Sequence, residues 1–165
     1  MSVIGAPSGL VASRELRKEG HKVVVATGNY SQPRLPSIKG MDSWKRKQMH
    51  SHTYRTAEPF RNETVVVLGN SLSGQGILME LVEVAKEVHI SSRSLNISDG
   101  LSKVISKHMN LHLHPQIDSL QEDGRVLFVD GSCIIADTIL YCTGYSYAFP
   151  FLDTKEIFFH YHQLS

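Results

Sequence analysis

The chain has 165 residues, 41% of them hydrophobic, enough for one ordinary domain but too few for two complete nucleotide-binding domains. Its 17 Lys+Arg and 16 Asp+Glu give a formal net charge of +1, so no global field attracts nucleic acid or an anionic membrane. No apolar segment has the length of a membrane span, and no secretion signal is recognisable. Cys133 and Cys142 are not spaced as a redox pair or a zinc knuckle. We therefore expect a cytoplasmic protein.

The first residues predict a βαβ unit. Ser2 to Ile4 form a short apolar strand that ends at Gly5, and apolar residues at helical spacing follow. Gly20 is placed as the C-terminal cap of that helix, and Lys22 to Val25 form a second, β-branched strand. From Gly28 to Asn62, several prolines favour a connection with at most short turns.

A second βαβ unit begins at Thr64. Thr64 to Leu68 predict a buried strand, Gly69 to Gly74 a turn, and Glu87 to Ser91 the next strand. Between them, one helix face is indicated by apolar residues at regular spacing: Ile77, Leu78, Leu81, Val82 and Ala85.

The remaining residues predict an antiparallel region. The polar stretch from Ser92 to Lys107 suggests no regular element, and two glycine turns at residues 122–124 and 130–131 separate short strands. Ile134 to Cys142 form an apolar, strand-like run that stops at Thr143-Gly144. The whole pattern predicts an α/β fold with an antiparallel insertion.

The turn after the third predicted strand is the strongest site signal, and it consists of Gly69, Asn70, Ser71, Leu72, Ser73 and Gly74. A strand, a tight turn and a helix N-terminus direct backbone N–H groups towards a phosphate. Gly69 permits the turn, Gly74 permits close packing, and Ser71 stands at the middle glycine of a dinucleotide fingerprint. The alternative is a purely structural turn, because glycine-containing strand–helix turns are common.

Arg93 follows the next strand, where an NAD-binding protein usually carries an acidic residue for the ribose hydroxyl. An arginine at that position can pair with a 2′-phosphate, which favours NADP over NAD. The alternative is a solvated surface arginine.

The N-terminal turn is one residue shorter than the full fingerprint. Gly5-Ala6-Pro7-Ser8-Gly9 has three residues between its glycines, where the fingerprint has four. No acidic residue follows Val25, where the rule places one for a ribose.

The histidines allow two interpretations. His108, His112 and His114 suggest a metal site, but no acidic or cysteine partner completes a known ligand spacing, so we predict a packed or solvated cluster and no metal. His112 and His114 should lie on one face of a strand. No residue is assigned a catalytic role, and proton transfer by His50 or His52 is not favoured.

Several ordered motifs resemble the flavin-containing monooxygenases, most closely the plant branch that S-oxygenates methylthioalkyl glucosinolates. Val3 to Leu10 are similar to the family's FAD fingerprint with one glycine deleted. Trp44, His50 and Tyr54 match the family signature, with Arg46 where the signature has glycine. The resemblance extends to the Gly69–Gly74 turn as the NADP site and to residues 137–145 as the return towards the flavin.

The resemblance implies a Rossmann-like FAD/NAD(P)-binding fold, in which an NADP-binding domain is combined with remnants of the FAD-binding domain. Residues 1–30 would be a remnant of the FAD-binding βαβ unit, 31–62 the inter-domain connection with the signature, 63–140 the NADP-binding domain, and 141–165 the return to the FAD domain and a truncated tail. Compared with the family, the chain is then internally deleted and C-terminally truncated.

The resemblance also implies FAD- and NADPH-dependent S-oxygenation of small thioethers such as methylthioalkyl glucosinolates. It assigns cofactor binding to Gly5, Ala6, Pro7, Ser8, Gly9, Leu10, Thr143 and Gly144, in addition to Gly69–Gly74 and Arg93. The alternative is a catalytically inactive nucleotide-binding remnant. A disulfide reductase of related fold is disfavoured because the redox cysteine pair is absent from the sequence.

Overall fold

A computed structural model of the chain describes residues 2–4, 20, 23–25, 32–70 and 72–146. The chain divides into two compact units, one of residues 1–32 with 145–165 and one of residues 33–144. In the first unit, β1 (Ser2–Ile4) pairs in parallel with β2 (Val23–Val25), as a βαβ unit requires. Two short strands, β3 (Gln32–Pro33) and β12 (Tyr145–Ser146), lie where the chain passes from one unit to the other.

The second unit is built on a parallel sheet of five strands in the order β4-β11-β5-β6-β7. Its strands are β4 (Lys47–His50), β5 (Thr64–Leu68), β6 (Glu87–Ser91), β7 (Leu111–His114) and β11 (Thr138–Tyr141). The central strand β5 has the unbroken apolar sequence expected of a strand covered on both faces, and Val65, Val66 and Val67 are fully buried.

Two helices cover one face of the sheet. They are α1 (Leu72–Leu81) and α2 (Asp99–Lys107), and their buried residues Leu78 and Leu101 join the core that also contains Val65 and Val67. The helical face predicted from the sequence agrees with α1, although Val82 and Ala85 lie just beyond its last turn.

A three-stranded antiparallel sheet covers the other face. Its order is β10-β9-β8, formed by β8 (Ile117–Leu120), β9 (Arg125–Phe128) and β10 (Cys133–Ile135). Val126 and Phe128 pack there with Val66, Ile139 and Tyr141 in a second core. This sheet is the antiparallel insertion that the sequence predicted.

Three sequence expectations were wrong in detail. The stretch from Ser92 to Lys107 contains α2, whose N-cap Ser98 accepts a hydrogen bond at its Oγ from the Leu101 N–H at 3.3 Å. The connection before Asn62 contains β4 as well as short 3-10 helices at Met41–Ser43, Ser51–Thr53 and Glu58–Phe60. The run from Ile134 to Cys142 is two strands, because the chain changes sheets between them.

Asp137 organises that change of sheets. Its Oδ2 accepts the Thr64 N–H at 2.9 Å and its Oδ1 accepts the Arg46 guanidinium at 2.8 Å. The Asp137 N–H in turn donates to the Thr64 carbonyl at 2.8 Å. One carboxylate therefore fixes the starts of β5 and β11 to the segment that leads into β4.

Among the residues that the structure describes, no helix has the length and apolar character needed to cross a lipid bilayer.

Truncation of the buried face of α1 should destabilise the protein much more than truncation of its exposed face. Leu78 is 1% exposed and its neighbour Met79 is 46% exposed. We expect Leu78→Ala to lower the free energy of unfolding by about 2–5 kcal/mol because it leaves a cavity. Met79→Ala should change it by less than about 0.5 kcal/mol. Urea unfolding of the full chain, followed by circular dichroism, measures both, and equal losses would contradict this packing.

Candidate functional site

A cavity of about 950 Å³ lies at the carboxyl ends of the parallel strands in the second unit. The chain runs from β5 outward to β6 and β7 on one side, while β11 and β4 lie on the other. The order of strands thus reverses between β5 and β11, and ligands of open α/β sheets bind outside such a switch point. Residues that follow β5, β6, β7 and β11 line the cavity, among them Gly69, Asn70, Arg93, Gln116, Thr143 and Gly144, together with Asp118 of the antiparallel sheet.

Gly69 forms the turn directly after β5 and requires glycine for two reasons. Its φ of 108° lies in a region that residues with a side chain rarely adopt. A Cβ at this position would also stand 2.6 Å from the carbonyl oxygen of Cys142, at the end of β11. Its N–H donates to the Ser91 carbonyl at 2.9 Å, so the turn is fastened to the end of β6 as well.

The helix α1 begins immediately beyond this turn, at Leu72. A Cβ on Gly74 would collide with the carbonyl oxygen of Gly69, so the first turn of the helix lies directly against the strand end. The side chain of Gln75 secures the turn by donating to the Asn70 carbonyl at 2.8 Å. The first N–H groups of a helix have no partner within the helix, and such an arrangement suits a phosphate.

The predicted residues of this turn have different positions. Gly69 and Asn70 line the cavity, and Gly74 lies buried behind them. Ser73 is exposed at the start of α1. Ser71 and the side chain of Leu72 lie outside the described residues.

Arg93 lines the same cavity on an exposed segment just after β6. The two residues before it are firmly held: the Ser92 N–H donates to the His114 carbonyl at 3.1 Å, and the Ser91 hydroxyl donates to the Pro115 carbonyl at 2.8 Å. Within the described part of the chain, the Arg93 guanidinium forms no ion pair, which leaves it available to an anion.

Thr143 and Gly144 follow β11 and form the wall of the cavity on the other side of β5 from Arg93. The backbone N–H of Arg34 donates to the Gly144 carbonyl at 3.0 Å, and the Arg34 Nε donates to the Thr143 carbonyl at 3.3 Å. His50 Nε2 also lies 3.0 Å from the Gly144 carbonyl, while His50 Nδ1 accepts the N–H of His52. This pattern fits the neutral tautomer with hydrogen on Nε2.

His50 is therefore a positioning residue whose contact the sequence did not reveal. It is 6% exposed, and burial lowers its pKa below the ordinary value of 6.5. A neutral imidazole that donates to a carbonyl fixes the turn without adding charge to the cavity. The match of His50 to the family signature was the signal that could have indicated this role.

The other signature residues support the sheet rather than line the cavity. Trp44 is buried in the core beneath the antiparallel sheet, and the Tyr54 hydroxyl donates to Glu80 at 2.8 Å on α1. Arg46, which stands where the signature has glycine, extends to Asp137 and to the carbonyl of Asp123.

Cys142 also lines the cavity but does not suit thiol chemistry. Burial raises the pKa of its thiol to about 11, with a smaller opposing effect from Ser51, so the thiol remains protonated at neutral pH. Cys142 and Cys133 are both free.

The cluster of histidines contains a member that the sequence analysis did not include. His112 and His114 lie on one face of β7, as predicted, and both contact His89 of β6. His108 instead caps the C-terminus of α2. Among the described residues, no group of three possible ligands is arranged to hold a metal ion.

The predicted flavin turn at Gly5, Ala6, Pro7, Ser8, Gly9 and Leu10 lies outside the described residues. Its assignment to FAD stays a prediction.

Comparison with known proteins identifies the relatives of this fold. The sequence profile of the pyridine nucleotide-disulphide oxidoreductases matches residues 10–163. A protein of Arabidopsis thaliana named flavin-containing monooxygenase FMO GS-OX-like 9 is 76% identical over 133 residues, which are 81% of this chain and 29% of that protein. The chain thus spans less than a third of the length of the curated relatives that it matches.

Solved structures of flavin-dependent and related proteins superpose on this chain. S-allyl-L-cysteine S-oxygenase from Allium sativum superposes with a TM-score of 0.71 at 44% identity, over 82% of this chain and 30% of that one. A complex of OTEMO with FAD and NADP has a TM-score of 0.56 at 16% identity, over 74% of this chain and 47% of the other, and supports the fold. The predicted α/β, Rossmann-like fold class is confirmed.

A methyl group added at Gly74 should damage the site, whereas the same change two residues later should not. A Cβ at Gly74 meets the Gly69 carbonyl, while a Cβ at Gly76 meets nothing within 4 Å. We expect Gly74→Ala to cost about 1–3 kcal/mol of stability through overpacking. Gly76→Ala should be neutral or stabilising by up to about 1 kcal/mol, because alanine favours helix. Thermal unfolding of both full-length variants tests this, and equal melting temperatures would refute the close approach.

Proposed function

We propose that this chain, which belongs to the pyridine nucleotide-disulphide oxidoreductase family and within it to the flavin-containing monooxygenases, binds the phosphates of NADPH. Residues 33–144 would form the binding site. The protein would act with FAD and oxygen in the S-oxygenation of thioethers, of which methylthioalkyl glucosinolates are the class suggested by the sequence. Two free cysteines also suit the reducing cytoplasm.

The proposal rests on one observation: a glycine turn and an exposed arginine line the same cavity at the switch point of the sheet. Gly69 and Gly74 leave room for a ligand backbone to approach the start of α1, where a pyrophosphate is favoured. Arg93 follows the adjacent strand, where the adenosine ribose of a dinucleotide is expected. The residues present therefore fit NADP, and the guanidinium supplies the charge that its 2′-phosphate requires.

Each part of the site would have a separate role towards the nucleotide. The Gly69 turn and the N-terminus of α1 would hold the pyrophosphate, and Arg93 would select the phosphorylated ribose. His50 would keep the Thr143–Gly144 turn in place on the other side of the cavity. NADPH, when bound, supplies the hydride that reduces a flavin. The protein contributes orientation and exclusion of water.

Relatives support a sulfur substrate without identifying it. The Allium sativum protein is named for S-oxygenation of S-allyl-L-cysteine, a thioether, and the Arabidopsis relatives carry names of the GS-OX series. A soft thioether sulfur is the shared chemical feature that we propose for the substrate of this protein.

The alternative is a nucleotide-binding remnant that does not turn over. It is favoured by the Gly5–Gly9 turn, which has three residues between its glycines instead of four. A shorter turn cannot direct as many N–H groups at a pyrophosphate, and no acidic residue follows Val25 to hold a ribose.

Removal of the Arg93 guanidinium should weaken NADPH binding selectively. A charge-assisted hydrogen bond contributes about 1.5–3 kcal/mol, so Arg93→Ala should raise the dissociation constant for NADPH by about 10–100-fold and leave that for NADH unchanged. Arg125→Ala is the matched control, because this exposed arginine is paired with Asp123 and does not line the cavity. Fluorescence titration with both nucleotides measures the effect. A parallel loss for NADH would show that Arg93 does not read the 2′-phosphate.

The purified chain should not retain stoichiometric FAD and should show little NADPH-dependent sulfoxidation. The reason is the short Gly5–Gly9 turn, which offers the flavin pyrophosphate a weaker cradle. The measurements are the visible absorbance spectrum and sulfoxide formation from a methylthioalkyl substrate, with the Allium S-oxygenase assayed in parallel. A yellow protein with a turnover like that of the control would reject the inactive alternative and establish the monooxygenase.

A further inference from the structure

Three histidines form a cluster between β6 and β7, and none of them lines the cavity. His89 lies opposite His112 in the strand register, and their ring centroids are 4.9 Å apart. The ring centroid of His114 is 5.0 Å from that of His89. His114 also stacks on Phe128 of the antiparallel sheet at 4.2 Å. His89 itself is only 5% exposed.

Hydrogen bonds link this cluster into a chain that begins at a carboxylate. His89 Nε2 lies 3.4 Å from Glu87 Oε2, and His89 Nδ1 lies 2.9 Å from His114 Nε2. With both rings neutral, one arrangement satisfies both contacts: His89 donates from Nε2 to Glu87, and His114 donates from Nε2 to His89 Nδ1. One added proton can be held as an Nδ1–H of His89 that donates to His114 Nε2, but a second proton, on that His114 nitrogen, removes the acceptor and breaks the link between the two strands.

The position of β7 makes that link important. Among the residues that the structure describes, it is an edge strand, with β6 as its single neighbour in the sheet. Its last carbonyl accepts the Ser92 N–H, and the carbonyl of Pro115 accepts the Ser91 hydroxyl. Both serines immediately precede Arg93, and Gln116 beyond β7 lines the cavity. Loosening of β7 would therefore disturb the wall that carries Arg93.

We propose that the His89–His114 pair fastens edge strand β7 to β6 only while the two rings hold at most one added proton, so that acid loosens β7 and weakens NADPH binding. The fastening rests on the histidine geometry alone. Its coupling to NADPH rests also on the proposed function.

Some charged and titratable groups around the pair lower the pKa values of His89 and His114, and others raise them. Burial is the largest effect and lowers the pKa of His89 to about 4, with repulsion from His114 and His112 adding to it, while Glu87 acts oppositely. Burial also lowers the pKa of His114, as does His112, whereas Asp130 beyond β9 acts to raise it. A second proton in the cluster would place like charges on rings whose centroids are about 5 Å apart.

The sign of the pH effect follows from these shifts. An opened β7 exposes histidines that bind protons near their ordinary pKa of 6.5, whereas the closed form binds them near 4 at His89. The stabilisation is thus complete above pH 6.5 and is lost as the pH falls towards 4. The equilibrium constant that favours paired over opened β7 should fall about tenfold for each pH unit within this window.

Hydrogen exchange of β7 amides tests the fastening directly. The full chain is compared with His89→Asn, whose amide lies near the place of Nδ1, and with His114→Gln, whose amide lies near that of Nε2. His108→Asn is the control, because His108 caps α2 outside the pair. From pH 7.5 to pH 5, the protection of the amides of residues 111–114 against hydrogen exchange should fall at least about tenfold in the wild type and in His108→Asn, with the amides of β5 as the reference. It should fall much less in the two pair variants.

NADPH titration on the same proteins tests the coupling. The 2′-phosphate itself titrates near pH 6, but this affects every variant equally. The wild type should lose about tenfold more affinity than His89→Asn between pH 7.5 and pH 5. Protection of β7 that does not depend on pH in the wild type, or equal losses in wild type and variants, would overturn the proposal. Absence of NADPH binding at pH 7.5 in all proteins would reject the proposed function, while the exchange data would still decide the fastening.

Discussion

The site depends on a close approach of backbones at the carboxyl ends of β5 and β11. No side-chain carbon fits between Gly69 and the carbonyl of Cys142, because a Cβ would stand 2.6 Å from that oxygen. Gly74 imposes the same limit between the turn and α1. Together they bring a strand end, a helix N-terminus and the neighbouring strand within reach of one ligand group. Arg93 and the Thr143–Gly144 turn then become walls of a single cavity.

The segment before β5 supports this geometry from the side. β4 pairs with β11, so the stretch that contains the family signature is part of the parallel sheet. His50, at the end of β4, holds the Gly144 carbonyl, and Arg46, before its start, binds the carboxylate of Asp137. This segment thus acts at both ends of β4, through the contact of His50 with a backbone carbonyl and that of Arg46 with a carboxylate.

Sequence reasoning succeeded where one local signal decided the structure. The valines of β5 and the glycines of the following turn predicted a strand–turn–helix, and the resemblance predicted the family and its fold. It failed for α2, whose signals were the N-cap Ser98 and the apolar positions Leu101 and Val104 within a polar stretch. β4 could not be found, because its polar residues become strand only by pairing with β11. His89 was missed because its histidine partners follow it by more than twenty residues and meet it only in the sheet.

The pairing of β4 with β11 has a consequence for how this protein could be divided. β4 lies within residues 31–62, the stretch that the sequence assigns to a connection, yet its backbone completes the hydrogen-bonding edge of β11. A fragment that begins at Glu63 would leave the buried strand Thr138–Tyr141 as an open edge, ready to pair with another chain. A fragment that begins at Pro33 would contain β4, which pairs with β11 and closes that edge. The smallest piece that covers both edges of β11 is thus defined by a backbone ladder rather than by the first residue of the βαβ motif.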